Sequence, residues 1–250
     1  GNYSLTAKAT DNSGLTTTSA IISVSVVKAK TKASPVVNIT APANNATYTS
    51  QAAGATITVT ATATATENTT TMAKVGQPAP DFNMPSTRNM ETLAENVKLG
   101  DYKGKWLVLM FYPLDFTFVC PTELTAFSDR IEELNGVGAE VIGISTDSVH
   151  SHRAWIKTPR DQNGVADMKY PLASDLGGKL ARAYNILVEE ANIALRGLFI
   201  IDPEGVLKYS VVHDLNIGRS VDETLRVLQG LQTGGLCAAD WKPGQENLKV

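Results

Sequence analysis

Hydrophobic and polar residues follow two different patterns along the chain. As far as residue 71 they alternate. Tyr3-Ser4-Leu5-Thr6-Ala7-Lys8-Ala9-Thr10 and Ala20 to Val27 each have the period of two of a half-buried strand, and Asp11-Asn12-Ser13-Gly14 reads as a turn joining them into a hairpin. Val36 to Thr40 alternates again, meets a Pro and Asn turn at Ala41-Pro42-Ala43-Asn44-Asn45, and is followed by a Thr-rich strand over Ala55 to Thr66. From Met72 onward the pattern changes. Trp106-Leu107-Val108-Leu109-Met110-Phe111 is a continuous apolar run, as expected of a strand covered on both faces. Leu124, Phe127, Ile131 and Leu134 then recur three and four apart, with Asp129, Arg130, Glu132 and Glu133 opposite, which predicts a helix. Glu140 to Thr146 is a second buried strand, so the unit is strand, helix, strand, and the sheet is parallel there. Helices around Ser148 to Lys157 and Gly178 to Tyr184 flank a short strand at Pro171-Leu172-Ala173. Gly197 to Ile201, the turn Asp202-Pro203-Glu204-Gly205 and Val206 to Val212 form a hairpin. Ser220 and Glu223 make a capping box that opens a helix lined by Val221, Leu225, Leu228 and Leu231. Mixed strands with interleaved helices predict a three-layer α/β domain.

Composition sharpens the division. Of the first 71 residues 18 are Thr and none is Cys or Trp, and 250 residues suffice for one large domain or two smaller ones. The net charge of −3 is uneven: residues 1–71 carry +2 and the remainder −5. That balance argues against nucleic acid or an acidic membrane as a partner held by bulk electrostatics. No apolar run approaches the roughly 18 residues a membrane span needs, and Gly1-Asn2-Tyr3-Ser4 lacks the charged and apolar regions of a signal peptide. His150 and His152 are two apart and His213 is isolated, so they are expected on the solvated surface and no metal site is predicted.

The two cysteines, Cys120 and Cys237, are too far apart for a Cys-x-x-Cys motif, and pair only if the fold or a partner chain brings them together. Cys120 lies between the apolar strand and the helix, with Pro121 suited to the first helical position. A cysteine there meets unpaired backbone N–H groups and the positive end of the helix dipole, which favour the nucleophilic thiolate. Read from its neighbours alone, it is either that nucleophile or an inert core thiol.

The surrounding residues decide between these. Pro113, Thr117 and Cys120 stand in a Pro-x-x-x-Thr-x-x-Cys arrangement, within Phe111-Tyr112-Pro113-Leu114-Asp115-Phe116-Thr117-Phe118-Val119-Cys120-Pro121-Thr122-Glu123. This resembles the peroxiredoxins, in particular their typical two-cysteine branch, and the likeness runs over 72–250. The resemblance implies a thioredoxin-like fold and a thiol peroxidase acting on hydrogen peroxide and organic hydroperoxides. It implies a peroxidatic Cys120, a Thr117 hydroxyl bonded to the sulfur and the peroxide, and Pro113 shielding the pocket. Arg196, which otherwise reads as a surface charge before a strand, matches the arginine that binds the peroxide. Glu123 and Arg219, otherwise a helix-face carboxylate and a solvent-facing cation, match the network that orients it. Cys237 matches the resolving cysteine, although Ala238 stands where the family more often has Pro. The disulfide is then formed between subunits of an antiparallel homodimer, commonly in a ring of five dimers, and is reduced by thioredoxin or a flavoprotein reductase. No cofactor is expected.

Two departures from the family bear on overoxidation. Asn163-Gly164-Val165-Ala166 stands where oxidation-sensitive members carry Gly-Gly-Leu-Gly, and the chain reaches Lys249-Val250 without a helix bearing Tyr-Phe. Both predict resistance to sulfinic acid formation. The front of the chain resembles bacterial immunoglobulin-like repeats: closing strands of one over 1–33 and opening strands of a second over 34–71, each with linker. A sandwich of that kind needs about seven strands, so these pieces are either partly ordered with exposed edges or a flexible Thr/Ala tail. Their likeness to exported proteins conflicts with the cytoplasmic setting that keeps thiols reduced. It also leaves a second reading of function, in which these strands mediate adhesion and the peroxiredoxin ring is a scaffold.

Overall fold

The computed structural model describes residues 2–5, 8–10, 16–18, 22–25, 36–41, 60–64 and 72–249. The chain divides into two units, Gly1–Thr69 and Thr70–Val250.

In the first unit β1 (Asn2–Leu5) pairs antiparallel with β4 (Ile22–Ser25), and β2 (Lys8–Thr10) with β3 (Thr16–Thr18). The two pairings are nested, so the expected hairpin is present, with an additional strand at Thr16–Thr18 where three β-branched residues follow one another. β5 (Val36–Ala41) pairs antiparallel with β6 (Thr60–Thr64). The turn expected at 11–14 and the linkers at 28–34 and 67–71 lie outside the described residues.

The second unit is built on five strands in the order β11-β10-β9-β14-β15, namely Leu172–Ser174, Ala139–Ser145, Trp106–Phe111, Arg196–Ile201 and Leu207–His213. β9, β10 and β11 are parallel, β14 runs antiparallel to β9, and β15 closes the hairpin antiparallel to β14. Short pairs β7 (Asn83–Pro85) with β8 (Asn96–Lys98), and β12 (Leu187–Val188) with β13 (Ile193–Ala194), lie outside it. The helices are α1 (Val119–Asp129), α2 (Ile131–Gly136), α3 (Val149–Lys157), α4 (Lys179–Ala183) and α5 (Val221–Gln232).

The unbroken apolar run of β9 is explained by burial on both faces. Leu107, Leu109 and Phe111 join a core with Phe82, Leu180 and Tyr184, whereas Val108 and Met110, with Tyr112 just beyond the strand, join a core with Leu124, Phe127, Trp155 and Leu225. Successive side chains point to opposite faces, so a strand between two helical layers must be apolar at every position. At Gly143 a Cβ would come within 2.5 Å of Leu172 Cδ2 and 3.3 Å of Leu124 Cδ2, which allows α1 to pack closely on β10.

Three local expectations need correction. The single helix predicted after Cys120 is two helices, because Arg130 leaves helical geometry at φ −107° and ψ 18°, where it is held by Glu133 and Asp222. Pro121 is the third residue of α1 and not the first, and Cys120 is the second; Pro is tolerated there because the first four N–H groups of a helix have no partner. The capping box at α5 is half made: Ser220 Oγ accepts from Glu223 N at 3.2 Å, but the Glu223 carboxylate turns to Arg226 at 2.6 and 2.7 Å.

Candidate active site

The loop from Tyr112 to Phe118 joins the end of β9 to α1 and carries the chain across the C-terminal edge of the parallel strands. Tyr112 N still donates to Ile144 O at 2.9 Å, so the loop leaves the sheet only after that residue. Pro113, within it, is buried, and Phe116 is held at φ 54°, a left-handed conformation that a bulky residue adopts only when its surroundings impose it. Its ring lies 5.8 Å from that of Trp155. Cys120 follows with no exposed surface and belongs to the core that holds Met110, Tyr112 and Leu124.

What lies against the sulfur is cationic. Arg196, at the start of β14, directs Nη1 to Cys120 Sγ at 3.4 Å and to Glu123 Oε2 at 2.6 Å, while its Nε donates to Leu215 O at 2.9 Å. Glu123 lies one turn beyond Cys120 on α1. Its Oε1 accepts from Arg219 N at 2.8 Å and Nε at 2.7 Å, and its Oε2 from Arg219 Nη2 at 3.0 Å. Arg219 Nη1 also donates to Phe111 O at 2.7 Å and Gly197 O at 2.6 Å, just past Met110 and Leu198, the last paired residues of β9 and β14 at that end. Arg196, Arg219 and Glu123 are all buried. Burial alone would push the Glu123 carboxyl up, but the hydrogen bonds and charge of Arg219, with the charge of Arg196, hold it below the usual carboxylate range. The three residues predicted to cooperate with Cys120 from 3, 76 and 99 positions along the chain are therefore brought together.

Thr117 and Cys237, also predicted, are placed differently. The Thr117 hydroxyl donates its proton to Leu114 O at 2.9 Å, and not to the sulfur, because the tight turn before α1 presents that carbonyl first. Cys237 sits beyond the far end of α5, half-buried, with Sγ 3.6 Å from Gly230 O. Since Arg219 precedes α5 and Gly230 lies in its last turn, about 15 Å of helix separates the sulfur of Cys237 from the site around Cys120.

A second buried cluster was not foreseen. His152, expected on the surface, has no exposed surface, because it faces inward from α3. Its Nδ1 lies 2.9 Å from Asp115 Oδ2 and its Nε2 3.2 Å from Ala173 O. Asp115 also accepts from Tyr112 OH at 2.8 Å and Ser151 Oγ at 2.7 Å, and its N–H donates to Asp147 Oδ2 at 2.9 Å. Burial, then the Asp115 charge, raise the Tyr112 phenol well above its usual range and keep it a donor. The cluster pins the middle of the Cys120 loop to α3 and to Asp147 in the turn after β10. Asp115→Asn puts an amide N–H₂ among donors, and is expected to lower stability by about 3 kcal/mol, read as a fall in the urea midpoint at constant slope. A midpoint within error of wild type would refute that role. Nothing local marks His152 as buried; the only signal was the presence of Asp115, 37 residues earlier.

The comparisons with known proteins agree with this geometry. The AhpC/TSA family matches residues 75–210. The chain is 57% identical over 174 residues to a putative peroxiredoxin in the rubredoxin operon of Clostridium pasteurianum, covering 70% of this chain and 98% of that protein. It is 52% identical over 180 residues to the chloroplastic 2-Cys peroxiredoxin of Hordeum vulgare, covering 70% of this chain and 85% of the other. Among solved structures it is similar to the reduced 2-Cys peroxiredoxin of Plasmodium vivax, with a TM-score of 0.67 and 36% identity over 70% of this chain and 92% of that one. Enterococcus faecalis AhpC gives a TM-score of 0.62 and 33% identity, covering 71% of this chain and all (100%) of that one. The α/β unit is thus thioredoxin-like, as expected.

Proposed function

The chain belongs to the AhpC/TSA family and is a thiol peroxidase of the two-cysteine peroxiredoxin type, and from that premise we propose how its residues divide the reaction. Cys120 is the peroxidatic nucleophile. Its sulfur attacks one peroxide oxygen, the O–O bond breaks, the other oxygen leaves as alcohol or water after taking a proton, and the cysteine becomes a sulfenic acid. The observation that carries this reading is the 3.4 Å approach of Arg196 Nη1 to Cys120 Sγ. A guanidinium fixed there meets both the anionic sulfur and the charge developing on the departing oxygen, in a site shielded from water. Two guanidiniums and one carboxylate carry a net +1, which an anionic sulfur balances. Thr117, whose proton is committed to Leu114, offers its oxygen as an acceptor for a peroxide hydrogen, and Pro113 keeps water out beneath the loop.

Cys237 is the resolving residue, and its thiol condenses with the sulfenic acid of another subunit. The helix length between the two sulfurs of one chain supports an intersubunit disulfide. Among the described residues β15 is an edge strand whose start at Leu207 is bonded to Gly76 and Gln77, and the remainder of that edge, with exposed Val212, Leu215 and Ile217 nearby, supports antiparallel pairing with a second copy. Leu114, Phe116 and Phe118, the last 87% exposed, form an apolar rim on the active-site loop that supports association of dimers into a ring. Thioredoxin or a flavoprotein reductase returns the thiols in a reducing, cytoplasmic setting. Among the described residues no helix is long and apolar enough to cross a membrane. For residues 1–71 we retain the reading of two incomplete immunoglobulin-like pieces, supported by their antiparallel pairings.

Non-reducing electrophoresis tests the division of labour. Wild type treated with one equivalent of peroxide is expected to run as a disulfide-linked dimer, while Cys120→Ser and Cys237→Ser each run as monomers. Cys237→Ser is expected to accumulate sulfenic acid that a dimedone-type probe labels at Cys120 alone. A dimer band surviving in either variant sinks the assignment.

A further inference from the structure

The chain between β15 and α5, from Asp214 to Gly218, is exposed along its whole length, yet it reaches the buried cluster around Cys120 at two points. Leu215 O accepts from Arg196 Nε at 2.9 Å. Gly218 lies against Glu123: a Cβ built on it would stand 3.3 Å from Glu123 Cγ and 3.7 Å from Cδ and Oε1. The segment is held at its start, where Asp214 Oδ1 accepts from Leu215 N at 2.7 Å and Asp214 O from Ile217 N at 3.5 Å, and it ends on Arg219, which is buried. The φ of Gly218 lies outside the left-handed region, so the backbone does not require glycine there. The approach to Glu123 does.

We propose that Gly218 is a positioning residue for the peroxidase reaction, and that its missing side chain lets Glu123 and Leu215 O together fix the Arg196 guanidinium where the departing peroxide oxygen gathers charge. The inference rests on the reading of Cys120 and Arg196 given above. Glu123 has no room to yield. Its two carboxylate oxygens accept from Arg196 Nη1 and from Arg219 N, Nε and Nη2, and Arg219 is itself tied to Phe111 O and Gly197 O. A side chain at 218 therefore demands a few tenths of an ångström from a set of groups already fixed on every side. Two movements supply it. Turning the Glu123 stem displaces Oε2 from its place 2.6 Å from Arg196 Nη1, and lifting the segment displaces Leu215 O from its place 2.9 Å from Arg196 Nε. Either one takes an anchor from Arg196, and with it the 3.4 Å approach of Nη1 to Cys120 Sγ. Gly218 thus acts on the chemistry through Arg196, without touching the sulfur.

Gly218→Ala adds one methyl at this contact. In the full chain, stopped-flow kinetics is expected to show it reacting with hydrogen peroxide about 10-fold more slowly than wild type, the order of loss that follows when a reacting group is misplaced by less than an ångström. Because the effect passes through Arg196, the same substitution made in Arg196→Met is expected to change that variant's rate by less than about 2-fold. Gly136→Ala, at an exposed position where a Cβ meets nothing within 4 Å, controls for a stiffer chain and is expected to react as wild type does. Far-UV circular dichroism checks the fold of each. An unchanged rate in Gly218→Ala, an equal slowing in the Arg196→Met background or in Gly136→Ala, or loss of the folded spectrum in Gly218→Ala overturns the inference and leaves Arg196 in the mechanism. An Arg196→Met enzyme that reacts as wild type does overturns both.

Discussion

Arg196→Met is expected to slow the reaction of Cys120 with hydrogen peroxide by about two to three orders of magnitude, the loss typical when one preorganised donor to developing negative charge is removed. The geometry makes this a test of chemistry and not of folding. Arg196 contributes only one of the four hydrogen bonds to the Glu123 carboxylate, the Nη1 contact at 2.6 Å; the other three come from Arg219 and survive the substitution. Arg196→Lys should recover little, because one ammonium does not span Leu215 O and Cys120 Sγ as the guanidinium does through Nε and Nη1. Stopped-flow or competition kinetics supply the rate, and far-UV circular dichroism with a urea midpoint checks the fold. A variant that reacts within a few-fold of wild type would remove Arg196 from the mechanism.

How much of this site could be read from the sequence depends on where each residue's constraint originates. β9 was legible to its end residues because two-sided burial writes itself into six consecutive apolar positions. The cluster of Cys120, Glu123, Arg196 and Arg219 was legible only through its likeness to a family; periodicity placed Arg196 before a strand and gave no reason for a buried guanidinium. His152 escaped both approaches, since its burial comes from Asp115 and from the packing of α3 against β11, neither of which leaves a pattern in the five residues around it. The break at Arg130 escaped because Leu124, Phe127, Ile131 and Leu134 keep the spacing of one apolar face across it. The burial of Cys120 was invisible for a related reason: it comes from packing in one core with Met110, Tyr112 and Leu124, and the residues beside it in the chain do not record that packing.

Glu123→Gln is expected to have the largest effect on stability. The carboxylate is 3% exposed and is shared by two guanidiniums that are themselves buried, so its neutralisation leaves two cations facing each other with only the sulfur to balance them. Removing one member of such a buried set costs about 3–5 kcal/mol, and the arginine released from it no longer holds its place at Cys120, so peroxidase activity should fall with stability. The pH dependence separates lost charge from lost shape. Because Glu123 in the folded protein is held below the ordinary carboxylate value, its contribution is fully present above the unfolded value of about 4.3 and is lost as pH falls through the lowered folded one. The difference in unfolding free energy between wild type and Glu123→Gln should therefore be constant from neutral pH down to about 5 and shrink in more acid solution, as protonation makes wild-type Glu123 resemble the amide. Urea titrations at matched protein concentration, which holds any subunit association fixed, measure this directly. A gap that stays the same at every pH would mean that the variant suffers from altered packing, and that the charge of Glu123 does not hold the two arginines at the sulfur.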